Sequence, residues 1–188
     1  LIAAGDADGL TKEVIAVVDA TAIDDDIYID TIVFENDLDD DETAVSATED
    51  DIQTSLSKVE LYDLDTNQVL ALSANKFTTT TFTYGPAAVR SSVKFDQINN
   101  QLLVKKGTTK KFGVRITTLG IDSLAKSGVQ MQLQLISDAI TSPGIVARSK
   151  ASGSTLAAAN ITSSSPPVLN CEMANSNGAV SLGTISVA

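Results

Sequence analysis

Hydrophobic and polar positions alternate most regularly in the second half of the chain. Residues 112–116 carry Phe, Val and Ile at alternate positions, and residues 129–135 carry Val, Met and two Leu between glutamines. A period of two predicts strands with one buried face. The apolar run 102–104 leads into a lysine-rich turn around Gly107, so we predict a hairpin over residues 102–116.

The other predicted strands are shorter or more evenly apolar. Residues 14–20 form a continuous run rich in β-branched side chains, which predicts a buried strand. Residues 27–34 are apolar on both faces, which predicts a central strand. Its predicted faces are Ile27, Ile29 and Val33 on one side and Tyr28, Ile32 and Phe34 on the other. Residues 57–72 predict a hairpin, and residues 77–84 predict an exposed or edge strand.

Strand patterns at intervals of about 8–12 residues, without a convincing amphipathic helix, predict an all-β fold built as an antiparallel β-sandwich. We place this domain at residues 14–138, after an N-terminal extension or linker at residues 1–13. Residues 139–188 form a polar Ala/Ser/Thr-rich tail with too few large apolar residues for a core of its own. Residues 179–188 regain a strand pattern and carry no charge, so they predict a strand that needs a sheet.

The composition narrows the classes of function. Acidic residues outnumber basic residues by 24 to 13, and the resulting net charge of −11 disfavours a nucleic-acid partner, because phosphate binding needs a basic surface. The chain has no histidine, and Cys171 is its single cysteine, so it lacks the commonest general base and cannot build a cysteine zinc site. We expect no enzymatic activity. No apolar run approaches about 20 residues, so we expect no membrane span.

Calcium is the ligand that the acidic residues favour. Two sets of oxygen ligands occur at alternate positions, namely Asp37, Asp39 and Asp41 in a dense acidic segment and then Asp63, Asp65 and Asn67. Such spacing allows a loop to surround a hard cation. Neither set has the glycine and distal glutamate of an EF-hand, and acidic loops on secreted proteins are commonly just solvated. Both interpretations stay open.

The turn around Gly107 concentrates four basic residues, Lys105, Lys106, Lys110 and Lys111. Opposite the acidic segment 35–51 of a second copy, these lysines would give head-to-tail charge complementarity. A contact of this kind that does not close on itself produces rings or filaments. Lysines at an edge strand also block unwanted sheet pairing, and this alternative stays open.

Three segments carry a family resemblance: the strand at residues 27–34, the strand at residues 59–63 and the strand and turn at residues 102–114. Their order resembles that of Ig-like β-sandwich modules of prokaryotic secreted and cell-surface proteins. The resemblance implies an Ig-like sandwich with extended terminal segments and an extracellular or cell-surface location. It also implies a role in surface layers, adhesive stalks or filaments, whose subunits often exchange a terminal strand.

These features together predict a structural subunit of an extracellular filament, tube or surface layer, assembled from copies of itself by strand exchange or augmentation. The predicted anchors lie in the last strand: Val180, Leu182, Ile185 and Val187. Because the period-two pattern slips at Gly183, we expect a bulge or bend there. The alternatives are a calcium-dependent adhesion or carbohydrate-binding module, with glycans as partners, and a viral capsid or tail protein.

The tail also contains the triplet Asn160-Ile161-Thr162, which has the pattern of an N-glycosylation acceptor. Such triplets arise often by chance.

Overall fold

A computed structural model of the chain describes residues 12–36, 56–73, 78–82, 88–119, 133–135, 144–157, 160–163 and 180–187. These residues form strands and turns without an α-helix, so the all-β fold class is confirmed. The strands are β1 Lys12–Ala22, β2 Ile27–Asn36, β3 Leu56–Asp63, β4 Gln68–Leu72, β5 Thr78–Phe82, β6 Ala88–Phe95, β7 Leu103–Val104, β8 Thr109–Thr118, β9 Leu133–Leu135, β10 Ile145–Ser149, β11 Ile161–Ser163 and β12 Val180–Val187.

The strands build two sheets. One sheet has the order β11-β12-β1-β8-β3-β4, and the other has the order β10-β2-β6-β5, with β7 and β9 also paired to β2. The strand pairs are antiparallel except for β1 with β12, which is parallel. Buried side chains of both sheets, including Phe34, Phe95 and Phe112, form one core cluster. The fold is therefore two-layered and sandwich-like, and its Ig-like character stays a prediction.

Strand β2 is central, as predicted, because it pairs with β6 and β7 on one side and with β9 and β10 on the other. Its predicted faces are wrong. The buried residues are Ile27, Ile29, Ile32 and Phe34. A register shift opposite β10 leaves Asp30 as an extra residue in β2, and such a bulge moves the residues that follow to the other face.

The hairpin predicted over residues 102–116 is also wrong. Strand β7 pairs with β2, whereas β8 lies between β1 and β3 in the other sheet, so the lysine-rich turn crosses between the layers. Alternation identifies a strand and its buried face, but it does not identify the partner strand. The hairpin predicted at residues 57–72 is confirmed by β3 and β4, and within the described ranges β5 pairs with β6 alone, at an edge.

Strand β8 buries Phe112, Val114 and Ile116 at the alternate positions that the sequence predicts. Between them, Gly113 faces the irregular part of β1, where the register shifts between Val14 and Ala16. A Cβ atom on Gly113 would lie 2.1 Å from the carbonyl oxygen of Ala16. The close approach of these two strands therefore requires glycine at this position.

Candidate functional site: the charged end and the C-terminal strand

Four connections meet at one end of the two sheets, which we call the charged end. They are residues 23–26 between β1 and β2, residues 64–67 between β3 and β4, residues 105–108 between β7 and β8, and residues 150–154 after β10. Strand β2 runs away from the charged end and therefore ends at the opposite end. Strand β3 runs towards the charged end and therefore begins at the opposite end. The acidic segment that joins β2 to β3 in sequence, with Asp37, Asp39 and Asp41, lies outside the described residues.

The turn at residues 105–108 is fixed against the end of β1. Gly107 has a φ of 70° and donates its N–H to the Ala22 carbonyl oxygen at 2.8 Å. Glycine adopts this left-handed conformation without a steric cost. The Lys106 N–H donates to Oδ1 of Asp26 at 2.9 Å, and the Thr108 hydroxyl donates to the Lys105 carbonyl oxygen at 2.7 Å.

Two adjacent aspartates connect the turn of residues 105–108 to the turn after β10. Asp26 accepts hydrogen bonds from the Lys106 N–H and, at 3.2 Å, from the Lys150 ammonium. These two hydrogen bonds hold the pKa of Asp26 below its ordinary value, and the bond from Lys106 has the larger effect. The Ser149 hydroxyl donates to Asp25 and lowers the pKa of that carboxyl in the same way. The carboxylates thus act as fixed acceptors that set the positions of both turns.

Of the predicted calcium ligands, Asp63 is the last residue of β3, and Asp65 and Asn67 lie in the β3–β4 turn. Asp63 and Asp65 contact a lysine. Oδ1 of Asp63 accepts two N–H groups of the turn, from Asp65 at 2.9 Å and from Thr66 at 3.1 Å. The Lys110 ammonium lies 2.7 Å from Oδ2 of Asp63 and 3.5 Å from Oδ2 of Asp65. The positive charge beside these carboxylates is therefore that of the chain's own lysine.

Burial acts to raise the pKa of Asp63, but the hydrogen bonds from Lys110 and Thr66 outweigh it, so the pKa lies below its ordinary value. Asn67 is exposed and adopts a left-handed φ of 57°, which closes the turn. In the part of the chain that the structure describes, no group of three His, Cys, Asp or Glu residues could hold a metal ion.

The predicted basic residues divide into two pairs. Lys110 contacts Asp63, and the Lys111 ammonium lies 3.0 Å from the carboxylate of Asp19 on β1. Lys105 and Lys106 have exposed side chains. Sequence reasoning missed this internal charge compensation because Lys110 and Lys111 follow their partners by about a quarter and about half of the chain. Opposite charges that face each other would indicate it once the strand pairing is known.

A second charged cluster, also not predicted, lies on the outer face of the β8–β3 pair. Glu60 is 1% exposed, and its two oxygens accept hydrogen bonds from Lys58 at 2.7 Å and from Arg115 at 2.8 Å. The Arg115 guanidinium stacks on the Tyr62 ring at 3.9 Å. On the other sheet Arg148 stacks on Tyr28 at 4.6 Å. A ring face that a guanidinium covers is not available as a stacking platform for a sugar.

Strand β12 carries the predicted assembly anchors Val180, Leu182, Ile185 and Val187, and it lies in the sheet of its own chain between β1 and β11. Its register with β1 runs in parallel from Ala16 with Val180 to Ala22 with Val187. The register shifts between Val17 and Asp19, opposite Leu182 and Gly183, so the bulge predicted at Gly183 is confirmed. Val187 thus reaches the charged end.

No protein-family model matches the chain, and no curated protein or solved structure matches it either. The described residues include no helix that is long and apolar enough to cross a membrane.

Proposed function

We propose that the protein is a structural subunit of an extracellular filament, tube or surface layer, in which β12 of one copy pairs with β1 of the next. The observation that carries this proposal is the parallel pairing of β12 with β1 at the outer part of a sheet. A strand that is held by main-chain hydrogen bonds can be supplied equally well by another chain, which is the principle of β-augmentation.

The position of β12 supports exchange. Among the described strands, β11 pairs only with β12, so withdrawal of β12 would leave β1 as the edge of the sheet. Strand β1 contributes buried residues to the core, including Ile15, Val18 and Ala20. An edge that presents unpaired N–H and C=O groups above buried side chains is a template for a new strand. A neighbouring copy carries such a strand with the same residues.

The direction of the strands supports a head-to-tail arrangement. Strand β1 runs towards the charged end for 11 residues, which is about 35 Å at the usual rise of a strand. Strand β12 ends beside Ala22 at that same end, where the side chains of Lys105 and Lys106 are exposed. The acidic segment 35–51 begins in the last residues of β2 and precedes β3 in sequence, and β2 ends and β3 begins at the opposite end. These positions favour contact between unlike ends of successive copies.

Negative-stain electron microscopy of the purified protein, with millimolar calcium or with chelator, tests the proposal. We expect filaments, tubes or sheets, and we expect their loss when residues 179–188 are deleted. Dissolution by chelator would assign a structural role to calcium at the acidic segment. Single particles under every condition would refute the assembly and would favour the calcium-dependent binding module, for which glycan binding is the next measurement.

Disulfide trapping separates exchanged strands from strands that stay in their own chain. Val17 and Ser181 are register partners, and parallel neighbours are close enough for a disulfide. One chain carries Val17→Cys, a second carries Ser181→Cys, and both carry Cys171→Ser. Oxidation of the mixed assembly should link the two chains. The matched control replaces Ser181→Cys by Leu182→Cys, which is one position out of register.

A chain with both Val17→Cys and Ser181→Cys completes the test. If this chain closes only an internal disulfide while the mixed assembly forms none, β12 remains in its own sheet, and the exchange mechanism is wrong even if filaments are present.

A further inference from the structure

Asn160 is exposed at the point where the chain enters β11, which is the edge strand of its sheet among the described residues. It is the first residue of the triplet Asn160-Ile161-Thr162, and the middle residue is not proline. The triplet is the pattern that N-glycosylation requires. The triplet alone does not determine whether its asparagine is exposed, so the exposure of Asn160 is a separate observation.

The fold orients this asparagine outwards. Ile161 is partly buried and packs against the core, as does Leu156 just before it. The Leu156 N–H donates to the Ala147 carbonyl oxygen at 2.8 Å, and the Asn160 N–H donates to the Ala157 carbonyl oxygen at 2.9 Å. The backbone is therefore anchored on both sides of the site. Asn160 closes a 3₁₀ turn just before β11, and it is exposed there whereas the next residue, Ile161, is partly buried.

We propose that Asn160 accepts an N-linked glycan. In this reaction Nδ2 of Asn160 attacks the anomeric carbon of an oligosaccharide that is carried on a polyprenyl diphosphate. An N–C bond forms, the C–O bond to the diphosphate breaks, and the lipid diphosphate leaves with the bonding electrons. One amide proton passes to a carboxylate of the transferase. The proposal rests on the extracellular location that the proposed function implies.

A glycan at Asn160 constrains how copies can pack. Ile161 pairs with Val187, so Asn160 lies at the charged end, beside the edge of β11 that has no partner among the described strands. A bulky hydrated group there would block the addition of a further strand to this edge, which is one of the ways in which proteins protect sheet edges. The glycan would also keep this corner facing solvent in an assembly.

The test is secretion of the whole chain from a eukaryotic host, with a host glycoprotein from the same culture as proof of transferase activity. Cleavage after Lys150 and Glu172 isolates the peptide of residues 151–172, which contains Asn160. We expect this peptide to carry the mass of a glycan. The glycan should be lost in Asn160→Gln and in Thr162→Ala, and it should be retained in Thr162→Ser.

A matched control site lies in the same chain. Gln101→Thr creates a second acceptor at Asn99, which is exposed in a turn. A glycan on Asn99 with none on Asn160 overturns the proposal, and so does the absence of a glycan from both in a host whose own proteins are glycosylated. Electron microscopy of the Asn160→Gln chain separates the two proposals, because filaments without the glycan leave the proposed function intact.

Discussion

Replacement of Glu60 by glutamine tests whether the cluster on the outer face stabilises the fold. Glu60 is almost fully buried and accepts hydrogen bonds from Lys58 and Arg115. A hydrogen bond to a charged group contributes about 1.5–3 kcal/mol. The Arg115 side chain is only 18% exposed, so its hydrogen bond should contribute an energy near this range. The Lys58 side chain is 43% exposed, so its hydrogen bond should contribute less than about 1 kcal/mol. Glutamine keeps the shape but loses the charge, so we expect the free energy of unfolding to fall by about 2–3 kcal/mol.

Urea denaturation at neutral pH measures this loss. The matched control is Asp96→Asn, which breaks a pair between Asp96 and Lys94 whose side chains are 47% and 57% exposed, and it should cost less than about 0.5 kcal/mol. A loss for Glu60→Gln no larger than that of the control would refute the reasoning.

The effect of Glu60→Gln should also depend on pH. Burial acts to raise the pKa of Glu60, but the hydrogen bonds from Lys58 and Arg115 outweigh it, so the pKa lies below its ordinary value of 4.5. A carboxyl with a lowered pKa stabilises the fold fully above its unfolded value, and the stabilisation disappears as the pH falls through the folded value. The difference between the native chain and the variant should therefore narrow below about pH 4. A difference that stays constant down to about pH 3 would contradict the ion pair as its source.

Two further substitutions test the β1–β8 approach and the β3–β4 turn. Gly113→Ala should cost more than about 3 kcal/mol or prevent folding, because its Cβ would overlap the Ala16 carbonyl oxygen, whereas Gly153→Ala, in open space at a φ of 73°, should cost about 1–2 kcal/mol. Thermal unfolding followed by circular dichroism compares the two, and equal losses would contradict the close approach. Asp63→Ala should cost about 2–3 kcal/mol, and Asp63→Asn should cost less because the amide oxygen still accepts the two N–H groups of the turn. Chemical denaturation of both variants measures the difference, and equal losses would assign the whole effect to Lys110.

The fold class could be predicted from the sequence because a strand with one buried face alternates apolar and polar residues. Phe112, Val114 and Ile116 are buried as the pattern requires. The pairing of strands has no comparable signature, since any two apolar faces can share a core. The turn around Gly107 therefore looks like that of a hairpin in sequence, although the Lys106 N–H reaches Asp26, 80 positions away. The bulge at Asp30 was hidden for a similar reason, because it depends on the register with β10.

The partners of the charged residues could not be predicted from the sequence. Asp63 and Asp65 have the spacing of cation ligands, and the sequence does not show that Lys110 of another strand would contact them. Glu60 occupies an outward position in an alternating strand, which usually means exposure. It is nevertheless buried, and its carboxylate contacts Lys58 of the same strand and Arg115 of β8, of which the second contact requires β3 to pair with β8. Charge patterns thus located the residues but not their partners.

The bulge in β12 gives the proposed strand exchange a means of selecting one register. A strand that slips by one residue turns every side chain to the opposite face, so an incoming strand without a marker can pair in several ways. Here Leu182 and Gly183 together oppose Val18, and the register is regular on both sides of that point. An extra residue fits only where β1 already accommodates it, and glycine allows the backbone to adopt the required bend. The same irregularity that interrupts the sequence pattern would therefore make β12 of a neighbouring copy align with β1 in the register that its own β12 adopts.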